Sequence, residues 1–258
     1  MARRRFFVPA DLIHGTTATL PPEQAHHLRD VLRLSTGDEV ELFDGTGAGY
    51  SGKVELTGAE VRIRDIEAIT AKGEPSPPLT LAAALIKSDR FEWILQKATE
   101  LGVDEFLPLV TRFCKVRVPE DRLEARMDRW QRIVREACKQ CRRVDVPRIQ
   151  KPVPFSDFLA LGQLGNWTAL MLYEKASNRL RIEAPPKGRI VLCIGPEGGW
   201  AQTEAEAAAR AGCCLFGLGA RILRAETAAL AAIAIVQHQL ADLDVGPESF
   251  EKSGDFRL

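Results

Sequence analysis

The sequence has no net charge, no long apolar run and few aromatic side chains, and each shortage narrows what it can be. Thirty-five lysines and arginines offset 35 aspartates and glutamates, so no bulk positive field gathers nucleic acid. Any RNA-binding charge must therefore be local. The longest apolar run, Ala228 to Val236, is far short of the roughly 20 residues that cross a bilayer, and no membrane span is expected. Only Phe6, Phe7 and Val8 separate the basic Arg3, Arg4 and Arg5 from Pro9, too little for the apolar stretch of a secretory leader, so a cytoplasmic protein is expected. The six cysteines include one suggestive pair, Cys138-x-x-Cys141. No second pair stands at zinc-ligand spacing, and the pair ends an amphipathic helix where a redox pair would begin one. We read it as two small apolar residues one turn apart, with no metal site.

What is present suffices for a core, since 45% of the 258 residues are hydrophobic. A run with three prolines, Ala71 to Pro78, breaks the pattern and predicts four segments: residues 1–72 as a small β-rich barrel, 73–78 as a linker, 79–244 as an α/β domain, and 245–258 as a flexible tail. The first segment carries strands at Val40 to Phe43, Tyr50 to Leu56 and Val61 to Ile66, with one helix from Pro21 to Leu34. In the third, strands at Leu79 to Ile86, Val103 to Val110, Thr168 to Tyr173, Arg189 to Ile194 and Cys213 to Leu218 alternate with helices. Asp89 with Glu92 reads as a capping box for a helix to Leu101, and Thr203 with Glu206 as another for a helix to Ala211; the last helix runs from Glu226 to Leu240. Strand and helix in alternation predict a mostly parallel sheet.

The chain's basic excess lies between Arg112 and Arg148, where an amphipathic helix sets Leu123, Trp130, Ile133, Val134, Ala137 and Cys138 on one face and arginines on the other. Two readings stand: a phosphate-binding surface, or a solvated face laced with Glu124, Asp128 and Glu136. Gly45 to Gly49 lacks dinucleotide-binding spacing and reads as a hairpin loop. Ile194-Gly195-Pro196-Glu197-Gly198-Gly199 follows a buried strand and precedes a helix, at the sheet edge where α/β proteins bind ligands. Leu218 to Ala228 repeats the design and ends in a helix N-terminus. The two loops can form one pocket; a plain strand-to-helix turn, and a local Arg224–Glu226 ion pair, are the alternatives.

Leu192 to Gly199, Leu218 to Ala228, Arg90 to Val103, Cys138 to Arg143 and Phe43-Asp44-Gly45 together closely resemble the RsmE family, small-subunit ribosomal RNA methyltransferases of the SPOUT class that modify N3 of one uridine. The resemblance runs over nearly the whole chain. It implies an N-terminal PUA-like β-barrel that helps hold RNA and a C-terminal α/β domain with a trefoil knot that binds S-adenosyl-L-methionine. It implies a cofactor pocket made by Leu172, Ile194, Gly195, Pro196, Glu197, Gly198, Gly199, Leu218, Gly219, Leu223, Arg224, Ala225, Glu226 and Thr227. It also implies 16S rRNA or the small ribosomal subunit as partner, and a homodimer through the knot domain. Lys139 and Arg142 stand where the family would place an acidic residue and a glycine.

Methyl transfer to uracil N3 gains from a cation on the developing imide anion and from a proton acceptor; Arg224 is the candidate cation and Glu226 the candidate acceptor or orienter. Arg3, Arg4, Arg5, Arg29, Arg33, Arg112, Lys115, Arg135, Lys139, Arg142 and Arg143 are the candidate phosphate contacts. The competing functions are methylation of another RNA atom such as a ribose 2′-hydroxyl, a non-catalytic RNA-binding assembly role, and a thiol oxidoreductase.

Overall fold

The computed structural model describes residues 4–58, 60–69, 77–160, 167–182, 186 and 188–240. Arg3, most of the expected linker and the expected tail lie outside the described residues. The chain divides into two compact units, one of residues 1–73 with 135–146 and one of 74–134 with 147–258.

In the first unit the strands are β1 (Arg4–Phe7), β2 (Ile13–His14), β3 (Thr17–Thr19), β4 (Glu39–Phe43), β5 (Gly49–Thr57) and β6 (Glu60–Ile69). They form one sheet in the order β1-β4-β5-β6-β3-β2, antiparallel except for β1 on β4. Alternation sets the inner face: Val61 and Ile63 are buried while Glu60, Arg62 and Arg64 are exposed. Asp65 then takes a φ of 53° beside a register shift, and the extra residue returns Ile66 to the core. That leaves no room opposite. A Cβ on Gly52 would stand 2.7 Å from Ile63 Cγ2 and 2.8 Å from Ile66 Cγ2, so only glycine fits. The helix expected from Pro21 to Leu34 is instead a short α1 (Pro22–His26) followed by a π-helical turn over His27–Val31. It ends where Arg33 turns left-handed at a φ of 55°.

The second unit contains β7 (Leu79–Ala84), α2 (Ser88–Glu100), β8 (Glu105–Val110), the start of α3 (Leu123–Cys141), β9 (Arg148–Ile149), β10 (Val153–Pro154), α4 (Phe155–Ala160), β11 (Thr168–Leu172), β12 (Ile190–Ile194), α5 (Gln202–Arg210), β13 (Cys214–Phe216) and α6 (Ala225–Gln239). The strands pair in parallel in the order β10-β8-β7-β12-β11-β13, with β9 also on β8. β7 and β12 are buried at every position, as their unbroken apolar sequence requires. Phe155, Phe158, Met171, Val191 and Trp200 form the core on one face.

Both expected capping boxes are displaced. α2 starts at Ser88 and not after Asp89; Ser88 Oγ donates to Glu92 Oε1, which together with Glu92 Oε2 also receives Arg129 of α3 at 2.7 Å. Glu92 therefore joins two helices and does not cap one. α5 starts one residue earlier than expected because Glu204, not Glu206, accepts the backbone N–H of Ala201 at 3.0 Å. The sequence offered carboxylates in two registers, and the first one won.

The two edges of this sheet differ chemically. At the amino-terminal edge, Asp104 accepts Leu79 N, Glu105 accepts Gln150 and Arg189, and Arg189 also donates to Thr80 Oγ1. That edge is closed by its own hydrogen bonds. The carboxyl-terminal edge carries the glycine-rich loops.

Candidate functional site at the carboxyl edge of the sheet

A cavity of about 530 Å³ opens at the carboxyl ends of β11, β12 and β13, inside the roughly 300–1,000 Å³ range of small-molecule sites. Its floor is Leu172, Ile194 and Trp200, and its walls are the loop Gly195 to Gly199 and the loop Leu218 to Ala225. Two glycines have separate reasons. Gly195 lies flat on the Trp200 indole, and a Cβ there would sit 2.9 Å from its Nε1. Gly199 holds a φ of 69° at the end of the turn in which its N–H reaches Pro196 O at 2.9 Å. The indole in turn donates to Leu172 O at 2.9 Å, which ties two of the strands' loops together.

Twelve of the sequence-derived pocket residues line this cavity: Leu172, Ile194, Gly195, Pro196, Glu197, Gly198, Gly199, Leu218, Gly219, Leu223, Arg224 and Ala225. Glu226 and Thr227 stand just behind it on α6. Trp200, Ala220, Arg221, Ile222 and Ala228 complete the lining from the two loops, and sequence reasoning missed Arg90 and Glu174. Arg90 was discoverable, because it falls in the first turn of the helix after β7, at the same sheet edge.

Charge in the site is paired unexpectedly. Glu226 does not pair with Arg224; its Oε1 faces Arg90 Nε at 3.8 Å, and Arg90 Nη1 faces Glu197 at 3.9 Å. The Glu226 side chain is 13% exposed, and its Oε2 is buried without a hydrogen-bond partner. Arg224, at the N-cap of α6, is exposed and makes no ion pair among the described residues. The site thus offers carboxylates, guanidiniums and an apolar floor, a donor set suited to a zwitterion with an aromatic group.

The basic residues separate into three kinds. Arg5 is turned inward and so leaves the set of candidate phosphate contacts: its side chain is 7% exposed, pairs with Glu41, and donates to the carbonyls of Cys138 and Arg143. Burial pushes its guanidinium down from the usual arginine range, against the pull of Glu41. Arg29, Lys139, Arg142 and Arg143 are held by Asp30, Glu136, Glu41 and Asp145, and Arg135 covers the Phe7 ring at 5.4 Å. Arg4, Arg33, Arg112 and Lys115 are exposed. Cys138 is buried, and burial raises its thiol to about 12. Among the described residues no group of three or more metal-ligating side chains occurs, and no helix is long and apolar enough to cross a membrane.

A parallel sheet whose glycine-rich loops enclose one cavity defines a nucleotide-type ligand site, and comparison with known proteins specifies the class. The RNA methyltransferase domain matches residues 74–237, and the RNA methyltransferase PUA domain matches residues 20–64. Ribosomal RNA small subunit methyltransferase E of Synechocystis is 36% identical, the match covering 91% of this chain and 77% of that one. Its Bacillus subtilis counterpart is 32% identical over 92% and 96%. The crystal structure of the Neisseria gonorrhoeae protein of the same name, bound to S-adenosyl methionine, superposes with a TM-score of 0.84 at 33% identity, covering 92% of this chain and 98% of that one. This chain belongs to the ribosomal RNA small subunit methyltransferase E family. The fold class is the expected one, an α/β methyltransferase domain with a PUA-like domain before it.

Proposed function

We propose that the chain transfers a methyl group from S-adenosyl-L-methionine to N3 of one uridine in 16S rRNA of the small ribosomal subunit. The observation that carries the reading is the single cavity made by both glycine-rich loops, with a carboxylate and a free guanidinium beside it. The relatives' shared name and the cofactor held by the Neisseria protein support substrate and cofactor. The residues present fit that cofactor: Leu172, Ile194, Leu218 and Leu223 would receive the adenine, backbone N–H groups of the loops its polar edges, and Arg90 with Glu197 its charged end. When bound, it supplies an electrophilic methyl group on a sulfonium centre.

The chain's own residues do the rest. The loops would hold both reactants side by side, which would remove much of the entropic barrier. Arg224 stabilises negative charge on the uracil oxygens as N3 loses its proton. Arg90 holds one oxygen of Glu226, and the unpartnered Oε2 is left to accept a proton or to orient a donor. Arg224→Ala and Glu226→Gln should lower turnover with cofactor affinity largely kept; full turnover in either would overturn that residue's role.

In this reading the two glycine-rich loops belong to the trefoil knot of the SPOUT class, residues 1–72 form an RNA-holding barrel, residues 79–244 catalyse, and the protein works in the cytoplasm. A homodimer through the knot domain is supported by α6, which is apolar on nearly every side yet leaves Leu230, Ala231, Ala234 and Ile235 only partly buried. Sedimentation as a monomer at micromolar concentration would remove that part. The deciding experiment incubates the protein with unmethylated small subunits and labelled S-adenosylmethionine, then identifies the labelled nucleoside. N3-methyluridine from one site is expected; a 2′-O-methyl nucleoside would keep the cofactor and overturn the specificity. No label despite cofactor binding by calorimetry would favour a non-catalytic assembly role.

A further inference from the structure

After β8 the chain makes a tight turn that is fixed from several sides. Cys114 N donates to Thr111 O at 3.2 Å, Thr111 N reaches Cys114 Sγ at 3.4 Å, and that thiol points back to Leu109 O at 3.7 Å. The backbone N–H of Arg112 is held by Glu204 at 2.8 Å. The turn leaves Phe113 at its apex with 43% of its surface exposed. A ring this exposed on a rigid turn wastes burial that a flexible loop would recover. Its position is specific: a Cβ on Gly198, which lines the cavity, would stand 3.0 Å from Phe113 Cβ. The missing side chain at Gly198 is therefore what lets the ring sit at the cavity rim.

Charge follows the ring. Arg112, Lys115 and Arg117 are exposed and make no ion pair among the described residues, and no acidic residue occurs from Thr111 to Val118. An exposed aromatic face among unpaired cations is the chemistry of a single-stranded nucleic-acid contact, with stacking on the ring and phosphates on the cations. We infer that Phe113 is a stacking platform for an unpaired base that neighbours the target uridine, with Arg112, Lys115 and Arg117 holding the adjoining phosphates. This rests on the methyltransferase reading above and deepens it by naming a positioning residue for the RNA.

The test compares Phe113→Ala, Phe113→Leu and Phe113→Trp with wild-type protein on unmethylated small subunits. Phe113→Ala should raise KM for the subunit roughly tenfold, the size of one lost base–aromatic stack, with cofactor affinity by calorimetry unchanged. Leucine should not restore it, tryptophan should, and the added indole fluorescence should be quenched as subunits bind. The triple variant Arg112→Gln, Lys115→Gln, Arg117→Gln should flatten the salt dependence of binding, which the Phe113 variants leave alone. An unchanged KM in Phe113→Ala overturns the inference, as does full activity in Phe113→Leu, which would mean generic packing. A changed oligomeric state in Phe113→Ala also overturns it, in favour of a contact between copies. Wild-type protein that methylates nothing would instead fail the parent reading, and it is measured first.

Discussion

Gly195→Ala isolates one contact on which the site depends. Gly195 is absent from the residues with positive φ, so alanine suits its backbone and the whole effect is steric. The new methyl would lie 2.9 Å from Trp200 Nε1 and 3.1 Å from Cδ1 and Cε2, where carbon pairs prefer about 3.5–4.0 Å. The indole has nowhere to retreat: it is 4% exposed, donates to Leu172 O at 2.9 Å, and packs on Phe155 with ring centroids 4.8 Å apart. Overpacking of this kind costs about 1–3 kcal/mol, and a broken buried hydrogen bond costs about 1–3 kcal/mol more. We expect a total loss of roughly 2–6 kcal/mol in urea unfolding at unchanged m-value.

Leu172, Gly195 and Trp200 all line the cavity, so a displaced indole should also weaken S-adenosylmethionine. Calorimetry should find at least a fivefold weaker Kd, and a saturating cofactor should rescue less of the thermal stability than in wild type. Trp200→Phe in the same chain removes the clashing nitrogen, so the double variant should be less damaged than the sum of the singles. Unchanged urea midpoint and unchanged Kd in Gly195→Ala would refute the close approach of loop and indole.

Glu92 is drawn upward by burial, but hydrogen bonds from Arg129 and Ser88 and the charges of Arg129 and Arg126 outweigh this and hold it below its usual 4.5. A depressed carboxyl stabilises the fold above its unfolded value and loses that contribution as pH falls through the folded one; wild type should therefore lose stability below about pH 4.5 more steeply than Glu92→Gln, and parallel acid curves would sink the assignment. With its thiol raised to about 12, Cys138 should resist a thiol reagent at pH 8 while the exposed Cys214 reacts at once. Prompt labelling of Cys138 in the folded protein would contradict the helix-core reading. Arg142 holds a φ of 68° where the family resemblance implies glycine. Arg142→Gly relieves about 1–2 kcal/mol of left-handed strain and forfeits a partly exposed pair with Glu41 worth up to about 1 kcal/mol. Stability should rise slightly or hold, and a loss above about 2 kcal/mol would show the pair to be the stronger term.

The five strands expected in the second unit were legible from their apolar runs, and each lies within a residue or two of where composition put it; the two-residue β9 and β10 carry no such run and were not expected. Helix starts were less so. A carboxylate three residues from a helix start is a cap only if no better partner competes for it, and Glu92 faces Arg129 from another helix, a contact 37 residues away in sequence. The same limit applied to the basic residues. Counting arginines between Arg112 and Arg148 cannot separate Arg142, held by Glu41, from Lys115, which faces solvent. Local patterns fix where a charge lies along the chain, and only tertiary contacts decide whether it is already neutralised.

The pocket loops were the opposite case, since their chemistry is local. A buried strand followed by Gly-Pro-Glu-Gly-Gly forces a backbone turn at the sheet's ligand edge whatever the rest of the fold does, and Leu218 to Ala225 repeats that logic after β13, on the far side of β11. What those loops could not reveal is why each glycine is needed. Gly195 answers to Trp200, five residues on, while Gly198 answers to Phe113, 85 positions earlier. The first relation holds the cofactor floor together, and the second sets an exposed ring, with three exposed cations close to it in sequence, against a cavity-lining loop. A glycine-rich loop of this kind is read correctly as a ligand loop from its spacing, but its individual glycines record partners that only the folded chain supplies. Substituting them one at a time therefore weights the two functions differently: Gly195→Ala should injure cofactor binding most, and Gly198→Ala, whose Cβ would press at 3.0 Å on the Cβ of a half-exposed side chain, should shift Phe113 and weaken RNA binding by a larger factor than cofactor binding.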